Sequence, residues 1–218
     1  MNAELRIDGS MPPTKASVAA IEAACAAVEA NQAPTMLIVY VTGTADPGWT
    51  HGLDVALVSK WERSLRRLER LGVMTLAVAS GDCGGLALDA LLATDYRIAT
   101  PDLRLALSVD GDALWPGMAI FRLAQQGGGA RLRRMILSGG HIDAYEAIDL
   151  GLVDEVTDDL DKALQAVAEL VSPLSGPELA IRRQLMFDAA TSSFEDALGR
   201  HLAACDRVLR RSAARGVA

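Results

Sequence analysis

The chain is poor in cysteine and aromatic residues, carries no excess of positive charge, and has no long apolar run. Its three cysteines, Cys25, Cys83 and Cys205, are odd in number and widely spaced over 218 residues. That pattern excludes a disulfide framework and gives no zinc-ligand spacing, so no metal site is expected and a reducing cytoplasm is the implied setting. The net charge of −7 argues against general nucleic-acid binding, although a local basic pocket stays compatible with it. No apolar stretch approaches the ~18–20 residues of a membrane span. Met1–Arg6 lacks a basic segment followed by an apolar one, so no secretory signal is expected.

What is present is a hydrophobic, alanine-rich composition: 50% of residues are hydrophobic while only 4% are aromatic. The length suits one domain with a proper core, or a domain with a small helical appendage. Residues 1–13 show little periodicity, and Met11-Pro12-Pro13 is a break. Val18, Ile21, Cys25 and Val28 recur at helical spacing and predict a helix over 15–30. Residues 36–41 are continuously apolar, as in a strand buried on both faces. A loop follows to Leu53, then a helix over 54–71 with Val55, Val58, Leu65, Leu68 and Leu71 on one side. Its other side carries Lys60, Arg63, Arg66, Arg67 and Arg70, a solvated face or a site near phosphates.

A strand over 73–79 then runs into Ser80-Gly81-Asp82-Cys83-Gly84-Gly85, and a helix leaves over 86–93. Strand, glycine turn and helix together present free backbone N–H groups at a helix start, where they can meet negative charge. Asp89 lies about one turn inside that helix. Short strands are predicted at 95–99 and 103–107, a turn at 109–112, and helices from Trp115 to about Gln126 and over 131–137. Asp143 is placed to cap 144–150, and 151–156 reads as turn and strand. Three helices close the chain: 160–171, 176–190 and 194–214. The order gives an α/β core with a helical C-terminal part.

The same pieces, in that order from about Leu37 to Val156, resemble the crotonase, or enoyl-CoA hydratase/isomerase, superfamily. Thr50-His51-Gly52-Leu53-Asp54-Val55 is similar to its small-residue-Gly-x-Asp loop. Gly84-Gly85-Leu86 falls on its glycine triplet, with Leu86 standing where that family has glycine. Trp115-Pro116-Gly117, Arg122-Leu123, Met135 to Gly139, Ile142-Asp143-Ala144, Glu146-Ala147 and Gly151-Leu152-Val153-Asp154 match later signatures. The resemblance implies a spiral of ββα units over residues 1–156 and a C-terminal helical trimerisation region over 157–218. A homotrimer or a dimer of trimers is then expected. It implies an acyl-CoA thioester as substrate and no separate cofactor.

By position, the backbone N–H groups of His51 and Leu86 would form the oxyanion hole, with Gly52, Gly84 and Gly85 allowing close approach. The family's first carboxylate falls on Asp89 and its second on Val109, beside Asp110. Asp89 and Asp110 are therefore the candidate acids, and single-acid enolate chemistry, or dehydration and isomerisation assisted by Asp89, is what the pattern implies. Each has a plainer reading: Asp89 as helix surface or cap, Asp110 as a turn former before Gly111. Cys83 reads as a small buried residue, with a Cys83, His51, Asp82 thiol constellation as the alternative. Gly127-Gly128-Gly129 lacks the Lys-Ser/Thr of a phosphate loop and reads as a helix break. His141 and His201 read as surface residues.

Within the superfamily, the chain is most similar to the small crotonase-like proteins of 3,5-dihydroxyphenylglycine biosynthesis in glycopeptide-antibiotic producers. These work beside a type III polyketide synthase and other crotonase-like enzymes of the pathway. The resemblance implies dehydration or isomerisation of a CoA-bound polyketide on the route to 3,5-dihydroxyphenylacetyl-CoA. The alternative is a non-catalytic partner subunit that stimulates the synthase by contact.

Overall fold

The computed structural model describes residues 3–30, 36–107, 109–110, 113–127, 129–171, 177–189 and 191–216. A seven-stranded sheet forms its centre, and its main path is parallel. Strands β1 (Ala3–Asp8), β2 (Met36–Gly43), β3 (Met74–Cys83), β4 (Tyr96–Ala99) and β9 (Glu155–Val156) lie side by side in that order. Strand β2 alternates between two cores. Leu37, Val39 and Val41 face α1 (Lys15–Ala30), α2 (Val55–Leu68) and α3 (Gly85–Leu92). Met36 and Ile38 join Leu76, Val78 and Ile98 against Ala163, Val167 and Val171 of α7 (Leu160–Val171). Burial on both faces is why this strand reads as an unbroken apolar run. The helix α7 thus covers one face of the sheet on its own subunit.

The structure corrects several expectations. Residues 3–8 form β1, a strand in which Leu5 and Ile7 are buried and Glu4, Arg6 and Asp8 are exposed. The Ser80–Cys83 segment is a continuation of β3 rather than a turn: Asp82 and Cys83 pair with Arg104 and Leu105 of β5 (Arg104–Ala106), while Cys83 also pairs with Gly43. Residues 109–114 include a small hairpin, β6 (Val109–Asp110) against β7 (Ala113–Leu114), with 111 and 112 outside the described residues. The helix α4 (Ala119–Gly127) starts two residues after the Trp-Pro-Gly signal, and α5 (Gly129–Ser138) follows. A further strand, β8 (His141–Asp143), lies antiparallel to β5 and was not foreseen. Val55, placed on the apolar side of α2, is 85% exposed.

Asp54, read as the first residue of a helix over 54–71, instead caps α2, its carboxylate accepting from the Leu57 N–H at 2.6 Å. Other expectations hold. Asp143 caps α6 (Ala144–Asp149) through the N–H groups of Tyr145 and Glu146. The basic face of α2 is largely solvated, and Arg67 there pairs with Glu22 and Glu29 of α1. The last helices are α8 (Pro177–Asp188) and α9 (Phe194–Gly216), which pack on each other.

Candidate active site

Helix α3 carries the site, and the packing around both its ends sets where it points. At its start, Gly84 approaches its neighbours so closely that a Cβ there would lie 2.4 Å from Thr44 Oγ1 and 3.2 Å from the Ala106 carbonyl. Gly85 takes φ +51°, a left-handed conformation that a side chain would strain. The N–H groups of Ala87 and Leu88 fold back onto the Gly84 carbonyl. The Leu86 N–H belongs to the first-turn donors that a helix leaves without an internal partner. At the other end, buried Arg97 of β4 accepts the helix's terminal charge. Its guanidinium donates to the carbonyls of Leu91, Leu92 and Thr94 at 2.9–3.2 Å and to Gln126 Oε1 at 2.7 Å. Burial pulls its pKa down to about 10, so it stays charged at neutral pH.

Beside the first turn of α3 lies a cavity of about 30 Å³, room for one water. Its wall is mostly apolar and includes Trp49 and Trp115, whose rings meet edge to face at 4.9 Å. Gly85, Leu86 and Asp89 line it. The Asp89 side chain is only 13% exposed. It accepts from Trp61 Nε1 at 3.1 Å, and Arg122 Nη1 stands 4.0 Å from its other oxygen. Burial, and then the neighbouring Glu62 carboxylate, push its pKa up from 3.8 to about 7 against the pull of Arg122, Trp61 and the Ala119 N–H. A carboxyl group of that kind exchanges its proton near neutral pH, as a general acid or base must.

Sequence reasoning did not find Trp61, Glu62 or the use of Arg122. Trp61 continues the apolar stripe of Val58, Leu65 and Leu68 on α2 at helical spacing, so that signal was present. Glu62 sits next to it and lines the same cavity. Arg122 of α4 is buried and joins them, with Nη1 at 3.0 Å from Glu62 Oε2 and Nε at 2.8 Å from Glu69 Oε1. Glu69 in turn accepts from Arg66 Nη1 at 2.7 Å. Burial raises the Glu62 pKa too, with Arg122 opposing it.

The remaining sequence candidates are distributed differently. His51 and Gly52 are exposed and do not line the cavity; the His51 N–H donates to the Gly48 carbonyl at 3.0 Å inside a turn. In this conformation the two expected oxyanion donors are therefore not aimed at one point. Asp110 lies on β6, paired with Ala113, and its side chain is outside the described residues. Cys83 is fully buried, its thiol pushed up to about 12 by that burial, and Asp82 instead faces Arg104 at 3.5 Å. With His51 exposed as well, Cys83, His51 and Asp82 do not form a thiolate centre.

No family model matches the chain. A relative from Amycolatopsis orientalis, named enoyl-CoA-hydratase, is 53% identical over 215 residues, covering 98% of this chain and 99% of its own. Solved structures share the fold. An enoyl-CoA hydratase/isomerase from Marinobacter aquaeolei superposes with a TM-score of 0.80 at 16% identity, over 96% of this chain and 89% of that one. An enoyl-CoA hydratase from Shewanella pealeana ATCC 700345 gives 0.78 at 19% identity, over 93% and 79%. The fold is thus the α/β fold of the crotonases. The chain itself belongs to the crotonase, or enoyl-CoA hydratase, superfamily, on the strength of the Amycolatopsis relative.

Proposed function

We propose that the chain carries out enolate chemistry on an acyl-CoA thioester, a dehydration or isomerisation in which Asp89 moves the proton. The supporting observation is a buried carboxyl group with a pKa of about 7, set one turn inside a helix whose start offers the Leu86 N–H. Asp89 takes the α-proton as the electron pair moves onto the thioester oxygen. The enolate then expels the β-hydroxyl, and the same proton, handed back from Asp89, leaves with it as water. The Leu86 N–H meets the charge that develops on oxygen, a contribution of about 3–4 kcal/mol per donor. The His51 N–H becomes the second donor once its turn releases the Gly48 carbonyl, and the Trp49–Trp115 pair must part to admit an acyl group.

The finer reading is a CoA-bound polyketide intermediate on the route to 3,5-dihydroxyphenylacetyl-CoA, made by a type III polyketide synthase. A low-polarity cavity walled by two tryptophans suits a flat, conjugated acyl group. A cytoplasmic homotrimer or dimer of trimers goes with that reading. The exposed apolar residues Phe194, Leu198 and Leu202, at four-residue spacing on α9, support such an assembly.

The test is turnover of 3-hydroxyacyl-CoA and 2-enoyl-CoA thioesters, alone and with the synthase present. Asp89→Asn is expected to lose about 10²–10⁴-fold of that rate. If the variant keeps the full rate, or keeps the full stimulation of the synthase, Asp89 is not the acid and a non-catalytic partner subunit is the better description.

A further inference from the structure

The superfamily pattern expects two acids; the second position holds Val109, and the side chain of the neighbouring candidate, Asp110, is outside the described residues. The structure places another carboxyl group beside Asp89, and it comes from a different element. Glu62, on the face of α2 that meets α3 and α4, lines the 30 Å³ cavity together with Asp89. It also lines a wider cavity of about 350 Å³ on the other side, with Arg66, Glu69, Arg122 and Asp188. Arg122 Nη1 stands between the two carboxyls, 3.0 Å from Glu62 and 4.0 Å from Asp89. We infer that Glu62 is the second carboxyl group of the site, a positioning residue that holds a single proton in common with Asp89 across Arg122.

The local charges fit one shared proton. Three carboxyl groups, Glu62, Glu69 and Asp89, face two guanidinium groups, Arg122 from α4 and Arg66 from α2. Glu69 is satisfied from both sides, by Arg66 at 2.7 Å and Arg122 at 2.8 Å. That leaves Glu62 and Asp89 to share what remains of one cation, and buried like charges keep a proton between them. Asp89 carries it, being the less exposed at 13% against 22% and the farther from Arg122. Glu62 adjoins the wider cavity and gives that proton a polar path to solvent around the tryptophan wall. Asp188 of α8, at the far side of that cavity, pairs with Arg200 at 3.5 Å.

The inference deepens the acyl-CoA reading, and its main test needs no substrate. Trp61 Nε1–H donates to Asp89, so its ¹⁵N–¹H NMR resonance reports the Asp89 proton. In the wild type its titration midpoint is expected near 7. Glu62→Gln keeps the volume and an oxygen for Arg122 but removes the charge; the midpoint is expected to fall by about one pH unit. Glu62→Met, a second neutral variant, is expected to fall likewise, and Glu62→Asp to return toward the wild-type midpoint. Asp89→Asn removes the titration and so assigns it. A midpoint that stays in place in both neutral variants overturns the inference. In turnover assays the acidic or basic limb of the pH–rate profile should move with the NMR midpoint. A wild type that shows the NMR shift in its Glu62 variants yet turns over no thioester supports the shared proton and overturns the acyl-CoA reading.

Discussion

Two buried arginines meet the C-terminal end of α2, and they serve different ends. Arg183 of α8 enters where α2 gives way to β3. Its Nε and Nη2 grip both oxygens of Asp95 at 2.6 and 2.5 Å, and its remaining donors reach the carbonyls of Glu69, Leu71 and Val73. All five guanidinium N–H groups are used, with one carboxylate for one cation. Arg122 reaches the same stretch of α2 through the Glu69 side chain but has three carboxyl groups around it. A buried cation matched one to one is a fixed pin, its charge met in full by one carboxylate. A buried cation oversupplied with carboxyl groups leaves a proton that must sit somewhere, and here it sits on Asp89. The difference separates a joint that holds the C-terminal helices to the core from a site that can move a proton.

Breaking the pin should cause the largest loss of stability. Arg183→Leu strands Asp95, whose side chain is 15% exposed, and leaves three carbonyls short of donors. A loss of about 3–5 kcal/mol is expected in urea unfolding. A loss under about 1 kcal/mol would mean that α8 does not dock this way in solution.

Removing the surplus acid should do the opposite. The folded chain keeps a proton on Asp89 up to about pH 7, against an ordinary value of 3.8. Between those values the folded state binds more protons than the unfolded one, so stability falls as pH rises through that window and stays low above it. Asp89→Asn abolishes that slope. It should therefore be more stable than the wild type by about 4 kcal/mol at pH 8, with almost no gain near pH 3.5. Urea midpoints across that range would show it. An equal effect at both pH values would mean that Asp89 is not the group carrying the slope. Stabilisation by deleting the proposed acid is the trade expected where a buried group is kept for function at a cost in stability.

This contrast also marks what the sequence could reveal. The pin and the site both depend on pairings across long stretches of chain, 88 residues for Arg183 with Asp95 and 53 for Arg122 with Glu69. Neither leaves a local pattern. By contrast β2, α1 and α7 are legible because their apolar residues recur at the period of the element or fill it continuously. Strand β1 is hard to read because its alternation, clean as it is, rests on only two large apolar residues, Leu5 and Ile7. The stretch 80–83 looked like a turn because Gly81 and Asp82 are turn residues, yet pairing with β5 draws it out as strand. Asp89 was legible through its place after the glycines. Glu62 was not, since a charge on a helix rich in charges reads as solvated surface, and only the approach of α4 buries it.

The smallest effect sharpens the comparison from outside the core. Arg67 of α2 also faces two carboxylates, Glu22 and Glu29 of α1, so by count it resembles Arg122 more than Arg183. The difference is water. Its side chain is 34% exposed, and those of Glu22 and Glu29 are 41% and 50% exposed. Solvent and salt screen each charge there, so an excess of carboxylate costs little. The pairing still draws the Glu29 carboxyl below its ordinary value, the reverse of what burial does to Asp89. Arg67→Ala should therefore lower the urea midpoint slightly at low ionic strength and not measurably in high salt, while leaving the Trp61 Nε1–H titration untouched. A loss that persists in high salt would show that the α1–α2 contact is far drier than this exposure allows. Count alone would then govern both arginines, and burial would no longer be what makes the Arg122 cluster hold a proton.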